Sequence, residues 1–387
     1  MNEWKKVKLG ELYTVHNGLS KGKKFFGKGY PFLSFSTVFN KWFLPQELDS
    51  LVESTEKERE SCSIKRGDVF ITRTSETMNE LGMSSVALRD YPDATYNGFT
   101  KRLRPIDNRL LPEYIGYYLR SPKFRGKFMA FSSMTTRASL ANDDLLRMEI
   151  EVPILDIQKR VANILCHYDN LIENSQKQIK LLEEAAQRIY KEWFVDFRFP
   201  GYESVKVVDG VPEGWEKKKV GEFVEKISRT KQIQSSDILE KGEIPVVDQS
   251  RIFIAGYTND VESLVKYNHP IIVFGDHTRI LKYIQFPFAK GADGTQLILS
   301  NNLIRMPQSL FYLSLLNIDL SNYSYARHFK YLKAENILIP DRYVAKDFDN
   351  FASIYLNKIQ NCRNIIELLT EARDRLLPRL MSGEIEV

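Results

Sequence analysis

Cysteine is scarce in this chain: Cys62, Cys166 and Cys362 are the three among 387 residues. They are too few and too scattered for a disulfide framework or a zinc knuckle, so the expectation is a reduced chain with inert thiols. No apolar run approaches the roughly 18 residues of a membrane span. The opening Met1-Asn2-Glu3-Trp4-Lys5-Lys6 lacks the apolar stretch of a secretory leader, and the expected location is the cytoplasm. Charge of one sign is also missing. The 55 Lys and Arg stand against 50 Asp and Glu, a net +5 that permits nucleic-acid binding without requiring it. Aromatic residues are plentiful instead, with 19 Tyr and 23 Phe. The length predicts two to three domains at ~150 residues each.

The chain repeats itself. Trp4-Lys-Lys-Val-Lys-Leu9-Gly10-Glu11-Leu12 returns as Trp215-Glu-Lys-Lys-Lys-Val220-Gly221-Glu222-Phe223, at an offset of 211. Leu145 to Pro153 returns as Leu332 to Pro340, at an offset of 187, and each copy precedes a long helical pattern. Two matches in the same order predict a tandem duplication whose second half is the shorter. Each half reads as a globular segment and a helix. The expected divisions are 1–152, 153–200, 201–340 and 341–387. The second helix lies in the last of these, and a Pro/Gly-rich linker opens the third.

The first helix is expected from about Leu155 to Phe194. Its stripe holds Val161, Ile164, Tyr168, Leu171, Ile179, Leu182 and Ile189. The second is expected from about Val344 to Leu380, with Phe351, Tyr355, Ile359, Ile366, Leu369 and Leu376, and with Pro378 and Gly383 as stops. Apolar residues alternate by three and four, as along a heptad seam. About 40 residues at ~1.5 Å each give helices ~60 Å long, too long for burial in one domain of ~150 residues. The predicted class is therefore α+β, with two mixed α/β modules and two long antiparallel coiled-coil helices under a pseudo-two-fold axis. Packing of each helix on its own module is the alternative.

The small net charge is unevenly distributed. Residues 1–150 carry 24 Lys and Arg against 18 Asp and Glu, and residues 205–340 carry 17 against 15. The helical stretches are slightly acidic, with 7 against 9 over 151–204 and 7 against 8 over 341–387. Basic modules on a protein-facing spacer would show this pattern. Within the modules, basic and hydroxyl residues cluster in loop-like contexts. The candidates for DNA contact are Lys21, Lys23, Lys24, Arg73, Thr74, Lys101, Arg102, Thr136 and Arg137 in the first. In the second they are Arg229, Lys231, His277, Arg279, Arg327 and Lys330. Arg and Lys clamp phosphates or read guanine edges, and Thr reaches either. Each residue alone also fits a solvated surface.

Catalytic signatures are missing from the sequence. Gly18 to Lys24 has one residue too few between its glycines for a phosphate loop, and Lys24 stands where a magnesium-binding Ser or Thr belongs. No Gly-x-Ser-x-Gly occurs. His16, His167, His269, His277 and His328 form no metal-ligand spacing. No catalytic, cofactor-binding or metal-binding residue is expected.

The segment Pro153-Ile-Leu-Asp-Ile-Gln158-Lys-Arg-Val-Ala162, with Asp169-Asn-Leu-Ile172, Leu181-Leu182-Glu183 and Phe194-Val-Asp196-Phe-Arg198-Phe-Pro200, resembles the central region of the specificity (S) subunits of type I restriction–modification systems. Val211-Pro-Glu-Gly-Trp215 resembles their module openings, and Leu376-Leu-Pro-Arg-Leu-Met-Ser-Gly-Glu384 their C-terminal ending. The second helix departs from the pattern, beginning Pro340-Asp-Arg-Tyr-Val344 without the glutamine of the first copy. The resemblance implies two target recognition domains reading a bipartite site in double-stranded DNA. It also implies a helical ruler that docks two methyltransferase (M) subunits, and through the complex restriction (R) subunits. Catalysis would lie on those partners, with S-adenosylmethionine on M and with ATP and magnesium on R. A nucleic-acid-free scaffold or adhesion protein is the other reading of the same rod.

Overall fold

The structure is a computed structural model that describes residues 4–75, 80–131, 133–134, 138–139, 141–228, 230–292, 294–323 and 327–387. Contacts divide the chain into two compact units: Met1–Glu173 with Glu367–Val387, and Asn174–Ile366. Among the described residues no helix is long and apolar enough to cross a membrane.

The first unit is built on an antiparallel sheet in the order Tyr13–Asn17, Thr100–Pro105, Val69–Thr72, Ser84–Val86. Val69-Phe70-Ile71-Thr72 is buried along its whole length, as a β-branched and aromatic strand at a sheet centre should be. Helix Pro112–Arg120 starts on its proline, whose missing N–H is no loss in a first turn. Its Tyr114 and Tyr118 continue through Phe124 and Phe128 as a ladder of rings 5.8–6.1 Å apart. The first part of the central helix, Leu155–Phe194, buries Ile157, Val161 and Leu165 in the same core as Leu377, Leu380 and Met381 of the C-terminal helix, Arg342–Ser382. Asp169 pairs with Arg373, so the two helices run antiparallel within this unit.

The second unit pairs Ile271–Gly275 with Leu281–Ile284 on one side and Thr295–Ile298 on the other. A four-stranded sheet around Ile244–Val247 and Phe288–Lys290 completes its module. Here Ala186, Tyr190, Trp193 and Phe194 share a core with Ala345, Phe348, Ala352, Leu356 and Ile359. Phe348 meets Trp193 and Phe194 edge-on at 5.5 and 4.9 Å, and Trp215 packs on Phe194 and Phe199. Gln178 meets Cys362 and, further along, Trp193 meets Phe348, so the two helices run antiparallel in this unit as well.

The duplication holds bond by bond. Strand Lys5–Lys8 pairs antiparallel with Glu149–Val152, and Glu216–Lys219 with Asn336–Ile339. Leu9 N–H donates to Met148 O (2.8 Å) and Val220 N–H to Glu335 O (2.9 Å). The repeated glycines have one purpose in both copies: a Cβ on Gly10 would stand 3.2 Å from Leu146 O, and one on Gly221 3.1 Å from Lys333 O.

Two helix expectations need correction. Pro378 does not stop the second helix, which runs through it to Ser382 and ends at Gly383 with φ +75°. Leu377, Leu380 and Met381 are buried around the proline, and that packing holds the last turn despite the lost hydrogen bond. Leu171 lies outside the seam at 51% exposed, and Phe351 sits at its edge, 50% exposed with its ring edge-on to Trp193 at 5.9 Å. A helix of 3.6 residues per turn drifts ~20° per heptad against a strict seven-residue stripe, so the buried face passes to Ser175 and to Ala352 and Leu356. The remaining seam residues are buried or half-buried: Val161, Ile164, Tyr168, Ile179, Leu182, Ile189, Tyr355, Ile359, Ile366, Leu369 and Leu376. The C-terminal helix starts at Arg342, where the Asp341 carboxylate accepts from Tyr343 N–H (2.7 Å) and Val344 N–H (3.2 Å).

Candidate nucleic-acid interface

Three loops far apart in sequence meet at one corner of the first module. Leu19 N–H donates to Tyr96 O (2.8 Å), Gly98 N–H to Leu19 O (2.9 Å) and Arg73 N–H to Phe99 O (3.0 Å). The approach is close: a Cβ on Gly18 would stand 2.1 Å from Asn97 O, which only glycine permits, and one on Gly98 would stand 2.3 Å from the Ser20 hydroxyl and 3.1 Å from Leu19 O. The second module builds the same corner. Ile233 N–H donates to Lys290 O (3.0 Å), Ala292 N–H to Ile233 O (2.7 Å) and Asp276 N–H to Gly294 O (2.7 Å).

The candidates fall into distinct groups around these corners. Lys23 and Lys24 are exposed, with the Lys24 ammonium 5.1 Å from the Phe25 ring centroid. Lys21 is turned inward, donating to Glu53 O and pairing with Glu58 at 2.8 Å, and its hydrogen bond holds the Glu58 carboxyl below the usual glutamate range. Arg73 is half-buried and reaches Gly98 O at 3.4 Å.

Lys101 and Arg102 are not loop residues, although the Asn97-Gly98 pair shortly before them has the composition of a turn. They sit in strand Thr100–Pro105, paired on both sides, and are 5% and 7% exposed. Lys101 donates to Asn142 Oδ1, and burial and then Arg73 push its pKa down. Arg102 donates to Ser63 O at 2.6 Å and lies over the Tyr96 ring. Both shape the sheet beneath the corner. Thr74 lies on the short strand Thr74–Ser75, which pairs with Ala138–Ser139. Thr136, Arg137 and Arg229 fall outside the described residues.

In the second module Lys231 is exposed and pairs with Asp260 at 2.7 Å, which raises the lysine's pKa. His277 is exposed, its N–H donating to Gln249 Oε1 (3.1 Å). Arg279 has φ +62° and donates to Leu320 O (3.0 Å). Arg327 and Lys330 are exposed beside buried His328, whose ring contacts Asp276 O and Tyr323 O at 2.8 Å. Phe329 N–H donates to the Asp276 carboxylate, which ties this helix start to the corner. Sequence reading missed Asn97, Gln249 and Asp276, the side chains that fix the loops. A glycine within two residues of each strand start, Gly98 before Thr100 and Gly294 before Thr295, was the available signal.

Chemically, each corner offers cationic and hydroxyl donors on loops tied together by main-chain bonds. That is the composition of a surface that positions phosphates and reaches base edges. Among the described residues no group of His, Cys, Asp and Glu could hold a metal ion.

Residues 1–184 and 212–339 match the family described as type I restriction modification DNA specificity domain. The MjaIX specificity subunit of Methanocaldococcus jannaschii is 27% identical over 99% of this chain and 93% of its own length. The HindI specificity subunit of Haemophilus influenzae is 25% identical over 51% of this chain and 42% of its own. The crystal structure of a type I restriction–modification S subunit from M. genitalium has a similar fold. It superposes with a TM-score of 0.59 at 15% identity, over 98% of this chain and 96% of that one. With two module repeats, two long helices and a family match over most of its length, the chain belongs to the type I restriction modification DNA specificity family.

Proposed function

We propose that this chain is the DNA-sequence-specificity subunit of a cytoplasmic type I restriction–modification complex and carries no catalytic centre of its own. The observation that carries this reading is the repeated corner: the same three loops, closed by the same backbone bonds, present basic residues once in each unit. One corner would read each half of a bipartite site in double-stranded DNA. The paired helices would set the gap between half-sites. At ~1.5 Å per residue, 40 residues give about 60 Å, or roughly 17 base pairs at ~3.4 Å each. The slightly acidic helices would also be the platform for two M subunits. On this reading M binds S-adenosylmethionine and methylates, and R subunits bring ATP and magnesium for cleavage. The nucleic-acid-free scaffold reading has no observation in its favour.

Methylome sequencing of a host expressing this chain with its M subunit tests the proposal. The expected result is one bipartite motif with a fixed spacer, and deletion of a heptad from both helices should shorten that spacer. Methylation without sequence preference overturns the specificity role. An unchanged spacer overturns the ruler.

A further inference from the structure

The corner of the first module carries one side chain that its own architecture does not use. Phe99 is 59% exposed. Its backbone is fully engaged: N–H donates to Asn97 Oδ1 at 2.7 Å, and the carbonyl accepts from Arg73 N–H at 3.0 Å. Thr100 locks the turn from the other side, with N–H and Oγ1 both donating to Asn97 O. The ring is therefore held out from a fixed turn bonded to Arg73, and the neighbouring Gly98 is bonded to Leu19 of the loop that leads to exposed Lys23 and Lys24.

The second module shows that the corner closes without such a ring. By register, Thr100 opposite Thr72 corresponds to Thr295 opposite Gly275, so Phe99 corresponds to Gly294. Gly294 has φ +71°, and a Cβ there would stand 2.7 Å from His277 and 2.9 Å from Gln249. The two corners are closed by matching backbone bonds, but the second turn is one residue longer, Ala292 to Thr295 against Gly98 to Thr100, and has no ring at the position of Phe99.

We infer that Phe99 is a specificity-determining side chain of the first module, and that it reads the 5-methyl group of a thymine. The inference rests on the DNA-specificity reading above. A phenyl ring neither donates nor accepts, so it cannot read the hydrogen-bonding pattern of a base edge. The apolar group that distinguishes a base pair in the major groove is the thymine methyl. The cationic neighbours supply the phosphate attraction that brings the ring to the groove, which favours DNA over an apolar protein surface as its partner.

The test uses the whole complex with M subunits, on duplexes carrying the motif mapped for the unaltered protein. Replacing the relevant thymine by uracil removes only the methyl and should weaken binding about fourfold, the worth of one buried methyl-sized group. Phe99→Ala should cost a similar factor on the thymine duplex and should lose nothing further on uracil, because one contact cannot be removed twice. Phe99→Leu should restore part of the preference. The motif of Phe99→Ala in the methylome should relax at a single T·A pair of one half-site, with the other half-site unchanged. Independent, multiplying losses for Ala and uracil would overturn the inference, as would an unchanged motif. Weaker capture of M subunits with base choice intact would assign Phe99 to a protein contact and overturn it too. Absence of any sequence preference in the unaltered complex would instead sink the underlying specificity reading.

Discussion

Where the first unit sets Lys101, Arg102 and Arg104 along one strand, the second sets Gln296, Leu297 and Leu299 at the matching positions. The backbone ladders correspond residue for residue. The interiors do not. Asp68 is fully buried in the first unit and is held by Arg104 through two bonds, at 2.6 and 2.8 Å. That pair pulls the Arg104 pKa up. The second unit fills the same region with aliphatic side chains, with Leu299 and Ile298 buried. The difference separates two levels of specification. Main-chain bonds and close glycine contacts define the corner, and side chains beneath it are free to be charged or apolar if each set satisfies itself.

Arg104→Met makes the first unit resemble the second on one side only. It leaves the Asp68 carboxylate buried without its cation, so the expected loss is about 3–5 kcal/mol, read from the urea midpoint of unfolding. Survival with a loss below about 1 kcal/mol would mean that the charged interior is no more demanding than the apolar one.

Gln158 offers a second point of contrast. It is fully buried, accepts from Leu111 N–H (2.8 Å) and donates to Arg109 O and Pro153 O (both 2.9 Å). Its counterpart in the duplicated helix is buried Ala345. The second unit ties its module to the C-terminal helix elsewhere, through Ser309 Oγ–H to Asp349 at 2.5 Å. Gln158→Ala should cost about 1–3 kcal/mol by orphaning buried backbone groups. Hydrogen exchange at Leu111 should quicken, while amides of the second unit stay unchanged.

The smallest expected effect is one of pH. Lys123 and then Lys127 hold the Glu151 carboxyl below the usual glutamate range, and the matching residue in the second unit is Leu338. A depressed folded-state pKa contributes stability above the unfolded value of about 4.3 and loses it as pH falls through the folded value. Glu151→Gln should flatten the acid limb of the first unit below about pH 4.3, by at most about 1 kcal/mol. Leu338→Gln should leave the pH profile of the second unit as it was. An acid limb unchanged by Glu151→Gln would show that other carboxylates govern it.

Much of this architecture was legible in the residues. Trp4 and Trp215, the Gly-Glu pairs and the proline-ended strands recur because one backbone pattern needs them twice. The central helix was legible to the residue, because forty positions without proline or glycine leave few alternatives. The corner was not legible as a unit. Leu19, Arg73 and Phe99 are joined by long-range main-chain bonds that leave no local pattern. Lys101 and Arg102 were misplaced because a turn signal says where a strand may begin and not which of its residues the fold will cover. Phe99 escaped a search made for charge.

The contact units do not follow the repeats. The second unit is a single stretch, Asn174–Ile366, whereas the first needs Glu367–Val387 to complete it. Leu377, Leu380 and Met381 belong to the core built around Tyr114 and Phe124. During synthesis, residues 1–173 therefore leave the ribosome without part of their core and wait for the final turns of the last helix. The later-made unit has all its residues first. Chain order and folding order are thus expected to be reversed, with the oldest residues closing last and at the largest loop-closure cost.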